Sequence, residues 1–460
     1  MNLMLIIFGV VLLVAQFAVP SRYAFVPLLI AACQLPNVPV IQVGVSFSIY
    51  KIVISAGFLR ALCERRTMRS ARHPLDGLLV VWAGWMVLSG LVHNPVDHNP
   101  MTIRLSVIYD FVGSYFYARW FLRDRDAYTR YCQCLAVVLL PLAFLVLVEK
   151  ITRQDPYGLV GGGMLFSEIR EDRVRAAGPF GHAILLGSFA STSVPQLAAL
   201  WRPHFRFALA GIAACLLIVI CSASTGPIGT LIAGLSALAL WRWRTRISRI
   251  RALVISGIIG LQLVMNAPFW YLMARVDLAG GSTGWHRAEL ISTAFRHLDE
   301  WWLIGTDNTR HWLDYGVGWS QHHIDITNHY LQLGVTGGLP LMLCFIAILY
   351  KAFQSLGRGM RSLRRKSDPD EYVLWCAGAS LFAHAFTFIS IAYFDQNIIV
   401  FGLLLGAVPG LSAVMPTTGR LKGPRQRKNV QDGNQLCTAP VKEPALVGSE
   451  GHGFLMQFQP

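Results

Sequence analysis

Apolar residues run in long stretches along most of this chain and are separated by short polar joints. Each stretch approaches the ~20 residues that an α-helix needs to cross the hydrocarbon of a bilayer. A membrane β-barrel would show alternating strands of about ten residues, so the pattern predicts helices. The predicted spans cover residues 3–19, 47–62, 78–92, 105–122, 135–148, 183–201, 207–220, 228–241, 253–270, 330–350, 372–394 and 398–414.

The stretch 24–34 decides the number of spans. It is short and bounded by prolines, which is typical of a re-entrant or interfacial segment. If it does not cross there are about 12 spans; if it does there are about 13, and the N-terminus lies on the opposite side. The run 3–19 has no basic residue before it and no small-residue cleavage site after it, so we interpret it as the first span and not as a signal peptide.

Composition supports the bilayer as the solvent of this chain. Hydrophobic residues make up 54% of the sequence and charged residues 14%, whereas soluble domains carry about 25% charged residues. The net charge of +15 comes from short basic clusters between apolar runs. Such clusters mark the cytoplasmic side of a membrane protein, so we expect no nucleic-acid partner. The nine cysteines sit singly, and Cys132 and Cys134 lack the spacing of a zinc or redox motif.

Four basic joints fall on one side of the membrane when the predicted spans alternate, and this side is the cytoplasmic one by the positive-inside rule. Their residues are Arg65, Arg66, Arg69 and Arg72; Arg123, Arg125 and Arg130; Arg242, Arg244, Arg246, Arg249 and Arg251; and Arg358, Arg361, Arg364, Arg365 and Lys366. The predicted fold is therefore an all-α polytopic membrane domain over residues 1–415, with two long outer loops at 150–182 and 271–328. Residues 416–460 are predicted to form a disordered, basic cytoplasmic tail.

Arginines in the two outer loops break the positive-inside expectation. The first loop carries Arg170, Arg173 and Arg175, and the second carries Arg275, Arg287, Arg296 and Arg310. Because the planar guanidinium matches phosphate oxygens in a bidentate way, these residues indicate an anionic ligand. The alternative is pairing with neighbouring acids on a solvated loop, and Glu171 and Asp172 make that alternative stronger for Arg173.

The second outer loop is rich in histidine, which can accept a proton from a sugar hydroxyl at neutral pH. Its histidines are His286, His297, His311, His322, His323 and His329. Their spacings match no zinc-ligand motif, so we expect no metal site. In the same loop, apolar residues at helical spacing predict an amphipathic helix along the outer leaflet. These residues are Trp285, Ile291, Phe295, Leu298 and Trp302.

The second loop ends at a span that begins with polar residues and continues with closely spaced glycines. Asn328 and His329 stand at its start, and Gly334, Gly337 and Gly338 follow. Small residues let neighbouring elements approach closely. Asn328 and His329 then either face a crevice between helices or serve as a helix cap and an interfacial histidine.

Together, these motifs resemble those of the O-antigen ligase and Wzy-type polysaccharide polymerase superfamily over about residues 70–410. They are Arg175 with Gly178, Pro179 and Phe180; Ser222 to Gly226; Arg287 with Trp302 to Gly305; and Asn328, Tyr330, Leu331 and Gln332 with Gly337. The resemblance implies a helical bundle of the C-type glycosyltransferase kind with a large periplasmic loop. It also implies inverting glycan transfer from undecaprenyl diphosphate without a nucleotide sugar, metal or cofactor.

By position, the resemblance implies that Arg175 and Arg287 hold the lipid diphosphate, and we expect Arg173 to assist them. Asn328 and Arg310 are expected to position the substrate. The ligases have a histidine directly before the asparagine matched to Asn328, whereas this chain has Thr327 there. The base therefore remains open among three residues of the second loop, and these are His329, His323 and Asp325.

The Thr327 departure favours a polymerase of exopolysaccharide or O-antigen repeat units over a ligase that moves finished glycan to lipid A-core or protein. A lipid flippase or polysaccharide transporter is the alternative from another class. It is disfavoured because ionisable residues are few within the spans and no repeat relates the two halves. The expected setting is the bacterial inner membrane, and the expected partners are the lipid-linked oligosaccharide, the bilayer, a flippase and a chain-length regulator.

Overall fold

Helices form nearly all the regular structure of the computed structural model. It describes residues 3–43, 45–64, 72–93, 99–161, 166–170, 172–275, 284–314, 317, 320–394 and 396–413. The segment 416–460, predicted to be a disordered tail, lies outside the described residues.

The helices and strands have the following bounds. The helices of the first half are α1 Leu3–Ala18, α2 Val26–Gln34, α3 Ile49–Cys63, α4 Pro74–Gly90, α5 Pro100–Phe121, α6 Arg125–Thr152, α7 Ala183–Ala198 and α8 Phe205–Ser222. Those of the second half are α9 Thr225–Ala239, α10 Ile247–Val264, α11 Gly284–Arg296, α12 Leu298–Trp301, α13 His329–Arg365, α14 Glu371–Thr387 and α15 Gln396–Ser412. Short antiparallel hairpins join β1 Pro39–Val43 to β2 Val45–Ser48 and β3 Glu168–Arg170 to β4 Arg173–Arg175. The 3₁₀ turns are Ser21–Tyr23, Pro156–Val160, Leu240–Arg246, Phe269–Arg275 and Arg310–Trp312.

A helix lies at every predicted span, namely α1, α3 to α10 and α13 to α15. The all-α prediction is therefore confirmed for the described residues. Four helical stretches among them are long and apolar enough to cross a bilayer, which indicates a membrane protein: Arg125–Thr152, Phe205–Ser222, Thr225–Val264 and His329–Arg365. The shorter apolar helices are Leu3–Ala18, Pro74–Gly90, Ala183–Ala198 and Gln396–Ser412.

Helix α2 shows what the proline-bounded stretch becomes. Its nine residues rise only about 13 Å, less than half of the ~30 Å hydrocarbon thickness. Leu28, Leu29 and Cys33 are fully buried among α1, α3, α6 and α15. This geometry agrees with the interpretation of 24–34 as a segment that does not cross.

Helix α15 packs directly on α5 through a face of glycines. Gly402, Gly406 and Gly410 are spaced by four residues and so lie on one side of the helix. A Cβ on Gly406 would lie 2.3 Å from the Tyr115 carbonyl oxygen, and one on Gly410 would lie 2.5 Å from that of Arg123. Only glycine permits this approach, which is how helices pack in a bilayer, where no hydrophobic effect drives them together.

Helix α13 is broken by its paired glycines. Gly338 has φ of +77°, in the left-handed region, and the non-helical geometry at Gly337 and Gly338 splits the helix. The second outer loop docks into the break, because the Leu339 amide donates to the Trp302 carbonyl at 2.8 Å. A Cβ on Gly338 would lie 2.1 Å from the Leu303 carbonyl oxygen. The glycines thus admit the outer loop rather than a neighbouring helix.

Backbone carbonyls exposed by the break find side-chain donors. The Trp85 indole N–H donates to the Gly337 carbonyl at 2.7 Å, and Arg104 Nη2 donates to that of Thr336 at 2.5 Å. Irregular backbone at membrane depth is tolerated only where protein or water satisfies it. Side-chain hydrogen bonds therefore stabilise the break, and the break fixes the position of the second outer loop.

Three of the predicted basic joints meet on one face of the bundle. Arg125 lies 3.4 Å from Asp370, and both Arg244 and Arg364 lie against Glu371, at 3.2 Å and 2.5 Å. The alternation of spans predicted this common face. The last predicted joint differs in form, because residues 358–365 continue α13 instead of forming a loop.

Candidate functional site

The first outer loop folds into the hairpin of β3 and β4. Glu168 pairs with Arg175, Ile169 with Val174, and Arg170 with Arg173. Because paired residues point to the same face of a two-stranded sheet and side chains alternate along it, the three arginines share one face with Glu168. The hairpin therefore gathers guanidinium groups that the sequence places two to five residues apart.

Glu149, near the end of α6, anchors the chain that leaves this hairpin. Its carboxylate accepts from the Ala177 amide at 3.0 Å and the Gly178 amide at 2.9 Å, and Ser167 donates to it at 3.0 Å. Gly178 adopts φ of +56° at this turn, which favours glycine. The buried carboxylate fixes the backbone three residues after Arg175.

Arg175 is buried, with 5% of its surface exposed, and reaches two partners. Its Nη1 donates to Glu168 Oε1 at 2.9 Å, and its Nη2 donates to Ser224 Oγ at 2.8 Å. The Ser224 hydroxyl in turn donates to the Ser222 carbonyl at 3.0 Å. Since Ser224 directly precedes α9, the guanidinium lies at the N-terminus of that helix, where the backbone dipole also favours an anion.

Arg287 projects from α11 in the second outer loop. Its Nε donates to the Ser390 carbonyl at 3.1 Å, in the connection between α14 and α15. That connection also borders the start of α9, because a Cβ on Gly226 would lie 3.7 Å from Ser390 Oγ. Arg175 therefore reaches the start of α9 directly, and Arg287 reaches the connection that borders it.

Charged groups of the two outer loops act on one another electrostatically. Burial, and then the charge of Arg170, lowers the pKa of Arg287, while Asp325 raises it. Burial, and then Arg175, lowers the pKa of His182, while Glu168 and Asp325 oppose this. Guanidinium groups from both loops thus share one region with two carboxylates, which leaves an excess of positive charge.

Asp325 is an exposed member of this region. Its charge raises the pKa of His286 against the effect of burial, and it acts on His182 as well. Its neighbours Ile324 and Ile326 are buried, so the chain here is held on both sides of an outward-facing carboxylate. Asp325 can accept a proton from a group bound between the arginines.

His329, one of the three candidates for the base, lies in a buried aromatic environment. It is 5% exposed, its ring packs 4.8 Å from that of Phe388 and 5.2 Å from that of Phe345, and Nδ1 accepts from the Tyr393 amide at 3.3 Å. Its own amide donates to the Phe388 carbonyl at 2.8 Å. This environment holds the α14–α15 connection in place and encloses the imidazole among aromatic rings.

Asn328 caps α13, as one of the two interpretations expected. Its Oδ1 accepts from the Leu331 amide at 3.1 Å and its Nδ2 donates to the Ile389 carbonyl at 3.2 Å. Ile389 precedes Ser390, whose carbonyl receives Arg287. By holding the Ile389 carbonyl, Asn328 therefore also positions the adjacent Ser390 carbonyl, which accepts from Arg287.

The remaining predicted site residues have different surroundings. Arg310 donates to the carbonyls of Leu313 and Asp314, at 2.7 Å and 3.1 Å, and so braces its own turn. Arg173 is exposed at the outer end of the hairpin. The His323 amide donates to Ser320 Oγ at 3.1 Å. The His323 ring is half-buried and lies two residues before Asp325 in the chain.

Helix α11 confirms the predicted helix as far as Arg296, but Ile291 and Leu298, which were predicted for its outward face, pack against the core of the loop instead. Trp285 and Phe295 are 58% and 54% exposed, and Trp302 just beyond is 52% exposed. The opposite side packs into a small cluster that we call the outer-loop core: Leu290, Ala294, Trp301, Trp312, Ile324, Ile326, Leu331 and Val335. An apolar outward face of this kind matches an interfacial helix.

His182 was missed by the sequence analysis, which treated it only as the end of a loop. It precedes α7, and its Nδ1 accepts from the Ile184 amide at 3.2 Å. Its Nε2 lies 3.8 Å from Glu168 Oε2, beside Arg175. In the sequence, a histidine before an apolar run predicts only a helix cap. The contact of His182 with Glu168 becomes visible only once the hairpin is folded.

The comparisons with known proteins give no family. No protein-family model matches the chain, and no curated protein matches it.

Proposed function

We propose that this chain is a multi-pass protein of the bacterial inner membrane that transfers glycan from an undecaprenyl-diphosphate-linked oligosaccharide on the periplasmic side. Its preferred reaction is polymerisation of exopolysaccharide or O-antigen repeat units, as in the superfamily that its motifs resemble. About 12 helices cross the bilayer in this proposal, with α2 not crossing. The exposed aromatics of α11 support a position at headgroup depth.

The observation that carries the proposal is the convergence of Arg175 and Arg287 on the N-terminus of α9. A diphosphate there would accept bonds from guanidinium groups and from free helix amides. Burial and like charge lower the pKa of Arg287, and the charge of a bound anion offsets both effects. The donor lipid supplies that anion, with its chain in the bilayer and its sugar toward the outer loops.

The reaction transfers a glycosyl group with inversion. An acceptor sugar hydroxyl attacks the anomeric carbon, the bond from that carbon to the diphosphate oxygen breaks, and undecaprenyl diphosphate leaves with the electron pair. We assign the proton of the hydroxyl to Asp325, the outward-facing carboxylate beside Arg287. Arg175 and Arg287 stabilise the charge that develops on the leaving diphosphate, which is the larger contribution to rate.

The test is transfer by the purified protein with a defined undecaprenyl-diphosphate oligosaccharide as donor and acceptor. Arg175→Ala and Arg287→Ala should each lower kcat/KM by about 10²–10³-fold, the effect of removing a transition-state donor. Arg296→Ala is the matched control, because Arg296 lies on the same helix as Arg287 but pairs with Glu289 on the exposed side. Wild-type rates in both site variants would refute the assignment.

Products separate the related activities. Lengthened lipid-linked glycan identifies a polymerase, and transfer only to a lipid A-core or protein acceptor identifies a ligase. Movement of the donor across vesicles without a new glycosidic bond identifies a flippase and overturns the proposal.

A further inference from the structure

Two histidines and a glutamate meet in the second outer loop, outside the arginine site. His297 Nδ1 lies 2.8 Å from Glu300 Oε1, and His311 Nε2 lies 2.9 Å from the same oxygen. The three ligand-type atoms all lie within 4.8 Å of one another. The spacings along the sequence predicted no metal site, because His311 reaches the other two only through the fold of the loop.

Trp312 orients two of these side chains, those of Glu300 and His297. The Trp312 indole N–H donates to Glu300 Oε2 at 2.9 Å, which leaves Oε1 facing the histidines. The His297 ring stacks on that of Trp312, with the planes 9° apart. Trp312 itself belongs to the buried outer-loop core. A metal site characteristically has such outer contacts, which orient the ligands before the ion arrives.

We propose that His297, Glu300 and His311 bind a divalent transition-metal ion, with zinc as the best fit. Two imidazoles and one carboxylate are a common zinc ligand set, and a solvent molecule completes the tetrahedron. Neighbouring ligand atoms around zinc are about 3.3 Å apart, given bonds of about 2.0–2.1 Å. The present separations of 2.8 Å and 2.9 Å need only a small expansion to admit the ion.

The position of the ion gives it a stabilising role, although one coordination position is left to solvent. It joins the start of α12 to the 3₁₀ turn Arg310–Trp312, and both segments cover the outer-loop core. That core carries α11, which bears Arg287, and the segment that bears Asp325. The metal therefore stabilises the platform of the outer loop, and the proposal stands independently of the reaction assigned to the arginine cluster.

The experiment uses the full-length protein in detergent, without a polyhistidine tag and stripped with a chelator. Zinc binding is measured by isothermal titration calorimetry and by metal content after dialysis, and thermal unfolding is followed with and without zinc. We expect one zinc per chain and a higher unfolding temperature with zinc. Failure of the stripped, folded wild-type protein to take up zinc would overturn the proposal.

Four variants locate the site. His311→Ala and Glu300→Gln should weaken binding by more than about 100-fold, because outer contacts alone are worth 10–100-fold. Trp312→Phe keeps the ring but removes the N–H, so affinity should fall by about tenfold. His322→Ala is the matched control, an exposed histidine of the same loop, and should bind as the wild type does. Equal loss of zinc in His322→Ala, or full binding by His311→Ala, would show that the ion is held elsewhere.

Discussion

Arg175 and Ser224 lie 49 residues apart in the chain, and Nη2 of the arginine donates to the serine hydroxyl at 2.8 Å. Together with the bond from the Ala176 amide to the Cys221 carbonyl at 3.2 Å, this bond joins the first outer loop to the end of α8 and the start of α9. It orients a buried guanidinium whose other partner is Glu168. The position of the positive charge therefore depends on the junction as well as on the hairpin.

Ser224→Ala should weaken donor binding while the chain remains folded. A hydrogen bond to a charged group is worth about 1.5–3 kcal/mol, so we expect KM for the lipid-linked donor to rise about tenfold or more, with a smaller change in kcat. Steady-state transfer kinetics measure both. Ser236→Ala, an exposed position on the same helix, serves as the control. Unchanged KM in Ser224→Ala would mean that the hydroxyl does not orient Arg175.

Asp325→Asn should lower the transfer rate by about 10²–10⁴-fold, the usual contribution of a positioned base. The amide keeps the size of the side chain but cannot take up the proton. Thermal unfolding should be unchanged, since the side chain is exposed. A transfer rate close to that of the wild type would move the base to another residue, with His323 the next candidate.

His329→Leu distinguishes a structural role from a catalytic one. The substitution leaves the Tyr393 amide without its acceptor in a buried place, which costs about 1–3 kcal/mol. We expect a lower unfolding temperature with substantial transfer activity in the folded fraction. Complete loss of activity at unchanged stability would restore His329 as the base.

Gly406→Ala should destabilise the packing of α15 on α5. Its new methyl group would lie 2.3 Å from the Tyr115 carbonyl oxygen, so the helices must move apart, at a cost of about 1–3 kcal/mol. Gly84→Ala in α4 is the matched control, because nothing lies within 4 Å of its Cβ position, and it should be neutral or stabilising. Thermal unfolding of both variants in the same detergent is the measurement.

Asp155 predicts a pH dependence of stability. Burial, and then the charge of Glu149, raises its pKa from 3.8 to about 7. The folded chain therefore keeps a proton that the unfolded chain loses, so this residue makes stability fall as pH rises from about 4 to 7. Asp155→Asn retains the acceptor for the Tyr157 amide and removes the titration. Its unfolding temperature should fall less than that of the wild type between pH 5 and pH 8, and identical slopes would contradict this.

The sequence predicted the helices well because their signal is local. Apolar runs of sufficient length located α1, α3 to α10 and α13 to α15, and prolines around 24–34 separated the short α2 from them. The basic joints likewise predicted the common face on which Arg244 and Arg364 meet Glu371. Each of these features depends on neighbouring residues, so one sequence suffices.

The site was less predictable because its members meet across the fold. For Asn328 and His329 the sequence left two interpretations open, a crevice or a helix cap with an interfacial histidine; in the structure Asn328 caps α13 and His329 is enclosed by Phe345 and Phe388. Neighbouring positions on a helix turn side chains by about 100°, so adjacency to a motif does not show direction. His182 lies in the site because the hairpin brings Glu168 next to it, and no local sequence pattern predicts that contact.

The break in α13 has a consequence for engineering this protein. Since the amide of Leu339 is satisfied by Trp302 and that of Thr306 by Val335, the second outer loop and the broken helix complete each other's backbone hydrogen bonds. A chimera that exchanges the loop alone would leave the amides of Leu339 and Thr306 without their hydrogen-bond acceptors. The transferable module is therefore the loop together with the first turns of α13 through Leu339.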